Sequence, residues 1–315
     1  MTKLRLATFN VENLFARWRF KDGIDPATAN SRGWIVDQTQ FEELGMDDKA
    51  ITGAAVRELG ADLLCLQEVE NVDTLKHFRA QALGGRTQYP YVAGVDGNDP
   101  RLIDVAVLSK WPITRIRSYQ HLMDPVSPTA PLFSRDCLEV DIEVEVGQGR
   151  KTPVTLFVNH FKSMLGGRAE TREKRERQAA KVMDIVTDRF GHASPGDRPF
   201  VVLGDLNDYL DPGGGGDSGI EQVVNWDQVE NVVARLPEDD QWTHYWDDGD
   251  EYRQLDYLLP STSLAQAAPH ALPEIFRKGV PLRAVKYTGP RFPGVGQDKP
   301  KASDHCPVVF ELEVQ

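Results

Sequence analysis

The sequence predicts an α+β fold with its sheets in the middle and helices packed outside them. Two observations carry this. Strand-like runs recur from one end of the 315 residues to the other, and long helical patterns interrupt them only occasionally. No repeat is visible at a solenoid period, and no Pro/Ser-rich linker divides two hydrophobic blocks, so a single domain over residues 1–315 is expected.

Taken in order, LRLATFNV (4–11) opens with strand alternation. A helical pattern, DKAITGAAVREL (48–59), leads into DLLCLQEV (62–69), and DVAVLSK (104–110) follows. LEVDIEVEV (138–146) alternates strictly, predicting one buried face and one wet face. After PVTLFVNHF (153–161), the run 168–190 spaces Ala179, Val182, Val186 and Phe190 as on a helix. PFVVLGDL (199–206) is apolar up to its glycine, as suits a strand covered on both faces. QLDYLLP (254–260) and CPVVFELEV (306–314) complete the set. Two stretches, 16–46 and 211–219, read as long irregular connections. The glycine run in the second lacks the Gly-Lys-Ser/Thr of a phosphate-binding loop.

Composition excludes several classes. Charged residues make up 27% and hydrophobic ones 40%, a globular balance. There is no apolar run long enough to span a bilayer, and the N-terminus lacks a signal-peptide core. Cys65, Cys137 and Cys306 lie far apart and make neither a disulfide framework nor a zinc site. A soluble protein of a reduced, cytoplasmic compartment is expected. The net charge of −12 is confined to one place: residues 201–250 hold thirteen acids and a single basic residue, Arg235. The rest of the chain is balanced, so acidity does not exclude a polyanionic partner.

Polar groups mark the strand ends. Asn10 and Glu12, Glu68, His160, Asp205 and Asn207, and Asp256 all end or flank apolar runs, and Asp304 with His305 precedes the last strand. In apolar surroundings such groups are costly unless paired or bound to a metal. If those strands are neighbours, the groups converge at one edge. An oxygen-rich set without thiolate suits Mg²⁺, and Mn²⁺ as well.

The order Asn10, Glu68, His160, Gly204-Asp205-Leu206-Asn207, Asp256, Ser303-Asp304-His305 resembles the endonuclease/exonuclease/phosphatase superfamily, deoxyribonuclease-like members included, along essentially the whole chain. His160-Phe161-Lys162-Ser163 and the later Arg177–Val182 helix segment most resemble the bacterial extracellular-nuclease branch. The resemblance implies a four-layer α/β/β/α sandwich of two face-to-face mixed sheets, with the site at one end. It also implies a Mg²⁺-dependent phosphoric ester hydrolase. Glu68 is then the principal metal ligand with Asn10 beside it, joined by Asp304 and, less typically for the family, Glu12. Asp205 orients or deprotonates the attacking water, Asn207 holds the phosphate, Asp256 supports His305, and His160 donates to a phosphate oxygen. Either Asp205 or His305 is the base, with one metal or two.

For the substrate, two basic segments stand out. Residues 168–181 carry six basic and three acidic side chains, and 277–301 carry seven basic and one acidic, with Tyr287 and Phe292 interleaved. Lys162, Arg175, Arg283, Lys286 and Arg291 are the candidate substrate contacts. A phosphodiesterase of nuclease type acting on nucleic acid is expected. The alternative is a phosphatase or sphingomyelinase-type phospholipase acting on a small phosphoester. A non-catalytic scaffold would be expected to have lost the metal Glu, the Asp-x-Asn or the final His, and all three are present. The segment Asp205-Leu206-Asn207-Asp208-Tyr209 departs from the inositol-phosphatase pattern. The aromatics Trp18, Phe20 and Trp34 mark the stretch where a membrane-facing hairpin would lie.

Overall fold

Strands that are apolar on both faces need a layer on each side, and the computed structural model, which describes residues 1–25, 40–211 and 216–315, supplies both. The chain begins with β1 (Thr2–Leu14), β2 (Trp18–Phe20), β3 (Phe41–Glu43), α1 (Met46–Leu59), β4 (Leu63–Val69), α2 (Val72–Ala82), β5 (Tyr91–Gly94) and β6 (Asp104–Ser109). It continues with β7 (Ile113–Arg117), β8 (Met123–Asp124), β9 (Ser127–Pro131), β10 (Cys137–Glu145), β11 (Lys151–His160), α3 (Arg168–Phe190) and β12 (Phe200–Asp205). Last come α4 (Glu221–Val224), β13 (His244–Trp246), β14 (Glu251–Arg253), β15 (Asp256–Pro260), α5 (Thr262–Ala267), β16 (Glu274–Ile275) and β17 (Val308–Val314).

Two sheets form the centre. One has the order β16-β17-β1-β4-β6-β5, the other β15-β12-β11-β10-β7. Each is antiparallel except for one parallel pair, β1 with β4 and β11 with β12. Leu4, Leu6, Leu63 and Val107 from the first sheet meet Val140, Leu156, Val158 and Leu203 from the second in one shared core. The outward face of the first sheet, with Phe9, Leu64 and Leu66, is covered by Val56 and Leu59 of α1 and Leu75 and Phe78 of α2. Ala179, Val182 and Val186 of α3 cover Phe157 and Val202 of the second. The result is the four-layer α/β/β/α sandwich.

Two local expectations need correction. The second face of β10 is not wet, because Glu139 and Asp141 are buried. Arg189, from the last turn of α3, reaches across to both, at 3.1 and 3.0 Å, and Tyr119 donates its hydroxyl to Glu139 at 2.6 Å. A buried carboxylate is tolerable only with such partners. The stretch 16–46 is not wholly irregular either, since β2 and β3 pair as a hairpin from Trp18↔Glu43 to Phe20↔Phe41. Trp34 and residues 212–215, which include three of the four consecutive glycines, lie outside the described residues. No helix among the described residues is long and apolar enough to cross a membrane, and the three cysteines are unpaired and buried.

Candidate active site

The parallel pairs deliver their ends to one place. His160 is the register partner of Asp205, and Asp205 that of Asp256, so β11, β12 and β15 set three polar side chains abreast. In the other sheet Asn10 lies opposite Gln67, and the register then slips between Asn10 and Leu14 on β1 and between Gln67 and Val69 on β4. Glu68 sits in that slip, pushed out of the ladder while its neighbours stay paired, as a bulge allows. The backbone is left-handed at Glu12 (φ 47°), Asn13 (φ 64°), Glu68 (φ 64°) and Asn207 (φ 53°). Such conformations cost roughly 1–3 kcal/mol each for a side chain other than glycine and persist where the surroundings over-determine them. Gly204 has φ 130°, and a Cβ there would lie 2.0 Å from the Asn159 carbonyl oxygen. Only glycine lets β12 run this close to β11 just before Asp205.

Asp205 is the hub. Its Oδ2 accepts Nδ2 of Asn10 and Nδ2 of Asn207, both at 3.0 Å, and its Oδ1 accepts the Asn207 backbone N–H at 2.8 Å. The Asn10–Asp205 bond ties the first sheet to the second. His160 Nε2 is 3.5 Å and His305 Nε2 3.8 Å from the same Oδ2. Behind His305, Nδ1 is 2.8 Å from Asp256 Oδ2, which also accepts the Thr243 hydroxyl at 2.8 Å. Ser303 fixes the approach of the last loop by donating to the Asn10 carbonyl at 2.8 Å and accepting the His305 N–H at 3.0 Å. Glu68 accepts the Asn13 N–H at 3.0 Å through Oε2, while its Oε1 stands 3.9 Å from His160 Nε2.

Burial is the largest single influence at Glu68, Asp205, His160, Asp304 and His305, and only at the last two do neighbouring charges outweigh it. It raises Glu68 and Asp205 above the ordinary carboxylate range, with His305 opposing and Asp304 or Asp256 adding repulsion. It drives the His160 imidazole well below its usual value, helped by Arg135 and His305. At His305 burial is outweighed by Asp256 and Asp205, which hold the imidazolium well above the usual range. At Asp304 burial yields to His305, His244 and Lys301, and the carboxyl lies below the usual range. Burial thus favours the neutral imidazole at His160, while Asp256 and Asp205 favour the imidazolium at His305, two histidines around one carboxylate.

Comparison with known proteins fits this geometry. The family model described as Endonuclease/Exonuclease/phosphatase family matches residues 7–305. The chain belongs to that family. No curated protein sequence matches it. Among solved structures, truncated TDP2 from Caenorhabditis elegans superposes with TM-score 0.58 at 17% identity, covering 99% of this chain and 98% of that one. The mannosyl-6-phosphatase Bt3783 of Bacteroides thetaiotaomicron gives 0.61 at 15%, covering 99% and 100%. The human nocturnin catalytic domain gives 0.56 at 15%, covering 99% and 94%. These likenesses carry the fold. Members of the endonuclease/exonuclease/phosphatase family are divalent-metal-dependent phosphoesterases, nucleases and phosphatases among them.

The donor set here fits such a metal. Ligand atoms of Asp205, Asp256 and His305 lie within 4.8 Å of one another, as do those of His244, Asp304 and His305. Buried Asp256 Oδ1 has no hydrogen-bond partner among the described residues. The oxygen donors Glu68, Asn10 and Asp304 border these groups, whereas Cys306 is buried with its thiol pushed far up by burial. Hard oxygen ligation without thiolate suits Mg²⁺-like ions.

Measured against the expectations of the endonuclease/exonuclease/phosphatase pattern, His160, Asp205, Asn207, Asp256, His305, Asn10, Glu68 and Asp304 are brought together. Glu12 is near but committed: its Oε2 accepts Lys301 Nζ and the Asp304 N–H, each at 2.9 Å, so it positions the Asp304 loop. Arg175 does not reach a substrate surface. It is wholly buried, paired with Asp208 at 2.7 Å, and spends its other nitrogens on Thr171 Oγ1 and the Arg168 carbonyl. Arg291 is half-buried and turned inward, donating to the Val280, Tyr287 and Ala284 carbonyls, and so shapes the 277–301 loop from within. Arg283 and Lys286 are at the surface, but pair with Asp247 and Asp239 of the acidic segment. The acidic and basic segments thus lie against each other instead of on separate faces. Lys162 stays beside the site with Nζ on the Ser163 carbonyl at 2.9 Å.

Three participants escaped sequence reasoning. His244 belongs to the Asp304–His305 cluster, its ring centroid 4.5 Å from that of His305, and burial with His305 lowers it to about 4. It sits on the short hairpin β13–β14 amid acids, with no apolar run to flag it. Buried Arg135 pairs with Asp99 at 3.3 Å and donates to the Phe161 carbonyl beside His160. Lys301, the counterion of Glu12, is the third. The spacing Lys301-x-x-Asp304, a cation just ahead of a carboxylate, was the one signal on offer.

Proposed function

We propose that the protein is a Mg²⁺-dependent phosphodiesterase of nuclease type. The observation that carries the reading is the convergence of Asp205, the His305–Asp256 pair and neutral His160 on one polar centre bordered by Glu68 and Asp304. Glu68 and Asp304, with Asn10, would hold the metal, which supplies charge neutralisation at the phosphoryl oxygens when bound. Asp205 orients the attacking water and takes its proton, since Asn10 and Asn207 fix Oδ2 in place. His160 and His305 each carry an Nε2 directed at the same Oδ2, and from there they donate to the non-bridging oxygens as charge builds. Asp256 holds the His305 ring through Nδ1 so that Nε2 faces Asp205. Asn207, which its left-handed backbone keeps against Asp205, would contact the phosphate.

Nucleic acid is the preferred substrate because half-buried Lys162 and exposed Arg101 lie close to a centre built from carboxylates, and a polyanion needs such cations to approach. The deciding experiment is a Mg²⁺-supplemented panel of single- and double-stranded DNA, RNA, a phosphomonoester, an inositol phosphate and sphingomyelin. Turnover of the nucleic acids is expected. Turnover confined to the phosphomonoester, or to sphingomyelin, would replace this reading with the phosphatase or phospholipase one.

A further inference from the structure

A cavity of about 290 Å³ opens beside the site, walled by the end of β1, the first turn of α1 and the loop before Ser303. Its back wall is joined to the catalytic loop, because Glu12, which lines it, holds both Lys301 and the Asp304 N–H at 2.9 Å. The volume lies at the small end for ligand pockets and suits one compact unit. Two kinds of side chain line the cavity. Phe15 carries the guanidinium of Arg17 4.7 Å from its ring centroid, a stacked pair with a planar outer surface. Lys299 is exposed and has no ion pair or hydrogen bond among the described residues, in contrast to Lys301 on Glu12 and Arg17 on Glu70. An unpaired ammonium beside a flat aromatic–guanidinium surface matches a phosphate joined to a planar ring.

We infer that this cavity is a nucleotide subsite: it takes the unit next to the scissile phosphodiester, with the phosphate at Lys299 and the base against Phe15 and Arg17. The inference rests on the nuclease reading and narrows it to an unpaired strand, because a base inside a duplex cannot leave its stack to lie on a side chain without cost. Asp48, also in the lining and bound to the Lys301 N–H at 2.9 Å, repels phosphate from the α1 side and so directs it to Lys299.

The test is fluorescence anisotropy of a short labelled oligothymidylate in EDTA, where binding is read without cleavage. Lys299→Glu and Phe15→Ala should each weaken affinity about tenfold. Lys299→Glu should also flatten the salt slope by about 0.7. Arg150→Glu, the same charge change in the turn between β10 and β11 at the far end from His160, should bind as wild type. A blunt duplex should compete less well than the single strand. Unchanged affinity in both cavity variants, an equal loss in Arg150→Glu, equal competition by the duplex, or a wild-type protein that does not bind the strand each overturns the subsite. Lys299→Gln, which keeps the size of a surface side chain, guards against misfolding, and thermal melting of each variant is compared. Mg²⁺-dependent cutting of the same strand reports separately: a protein that binds through the cavity but does not cut retains the subsite and loses the nuclease reading.

Discussion

Nδ1 of His305 lies 2.8 Å from Oδ2 of Asp256, and both side chains are buried at the junction of the two sheets. Asp256 is also held by the Thr243 hydroxyl, so the imidazole is anchored to a carboxylate that cannot swing away. Asp256→Asn keeps the shape but removes the charge and the tautomer preference. We expect kcat to fall by about 10³-fold with KM nearly unchanged, as for a group that acts in the transition state only. Steady-state kinetics on a cleaved substrate decide it, and a KM effect of the same size would assign Asp256 to substrate binding.

Glu68 stands out of the β4 ladder with a left-handed backbone, a strained placement that a merely structural glutamate does not need. Glu68→Gln should raise the Mg²⁺ concentration for half-maximal activity by more than about a hundredfold, beyond the roughly 10–100-fold that loss of an indirect support produces. EDTA should abolish turnover in the wild type. An unchanged Mg²⁺ titration removes Glu68 from the metal.

Arg175 and Asp208 form a wholly buried pair under the α3 start. Arg175→Met should cost about 3–5 kcal/mol by leaving the Asp208 charge with Arg168 alone. Urea unfolding reads this. If the variant instead keeps its stability and raises KM, the side chain is a substrate contact after all.

Gly204→Ala places a methyl group 2.0 Å from the Asn159 carbonyl oxygen at a φ of 130°. A loss on the order of 3 kcal/mol is expected, together with displacement of Asp205 and lost activity. A wild-type urea midpoint would show that β11 and β12 can separate at little cost.

Asp124, on β8, is buried and accepts Lys174 at 2.7 Å and Arg177 at 2.9 Å from α3. Burial alone would raise its pKa, but the two cations outweigh it and bring it down to about 2. A depressed folded pKa means stability that is present above the unfolded value near 4 and lost as pH falls towards 2. Wild type should therefore exceed Asp124→Asn by on the order of 2 kcal/mol at neutral pH, a gap that closes between about pH 4 and pH 2. A gap independent of pH would mean that shape, not charge, is what Asp124 contributes.

What could be read from sequence follows from where polar groups break an apolar run. His160, Asp205 and Asp256 end strands that are neighbours in one sheet, so their positions in sequence already encoded their meeting in space. Glu68 was legible as a residue type but not as a strained one, because a one-residue register slip leaves no mark in the alternation of DLLCLQEV. Arg175 was misread for a physical reason: an arginine continuing an apolar helical stripe looks the same whether it faces substrate or a buried aspartate. The partner, Asp208, lies 33 residues on, in a loop with no periodicity. His244 was invisible on the same ground. The charge blocks were counted correctly and located wrongly, since counting does not show that Asp247 would fold back onto Arg283.

The first and last strands run side by side, Thr2 opposite Val314 and Thr8 opposite Val308. Asp304 and His305 stand just ahead of that final strand, while Asn10 and Glu12 belong to the opening one. Groups 293 and 292 residues apart, Ser303 with Asn10 and Asp304 with Glu12, are thus brought together where β17 lies beside β1. Until that pairing forms, nothing holds His305 against Asp205 and Asp256. Closing the first sheet and assembling the polar centre are therefore one event.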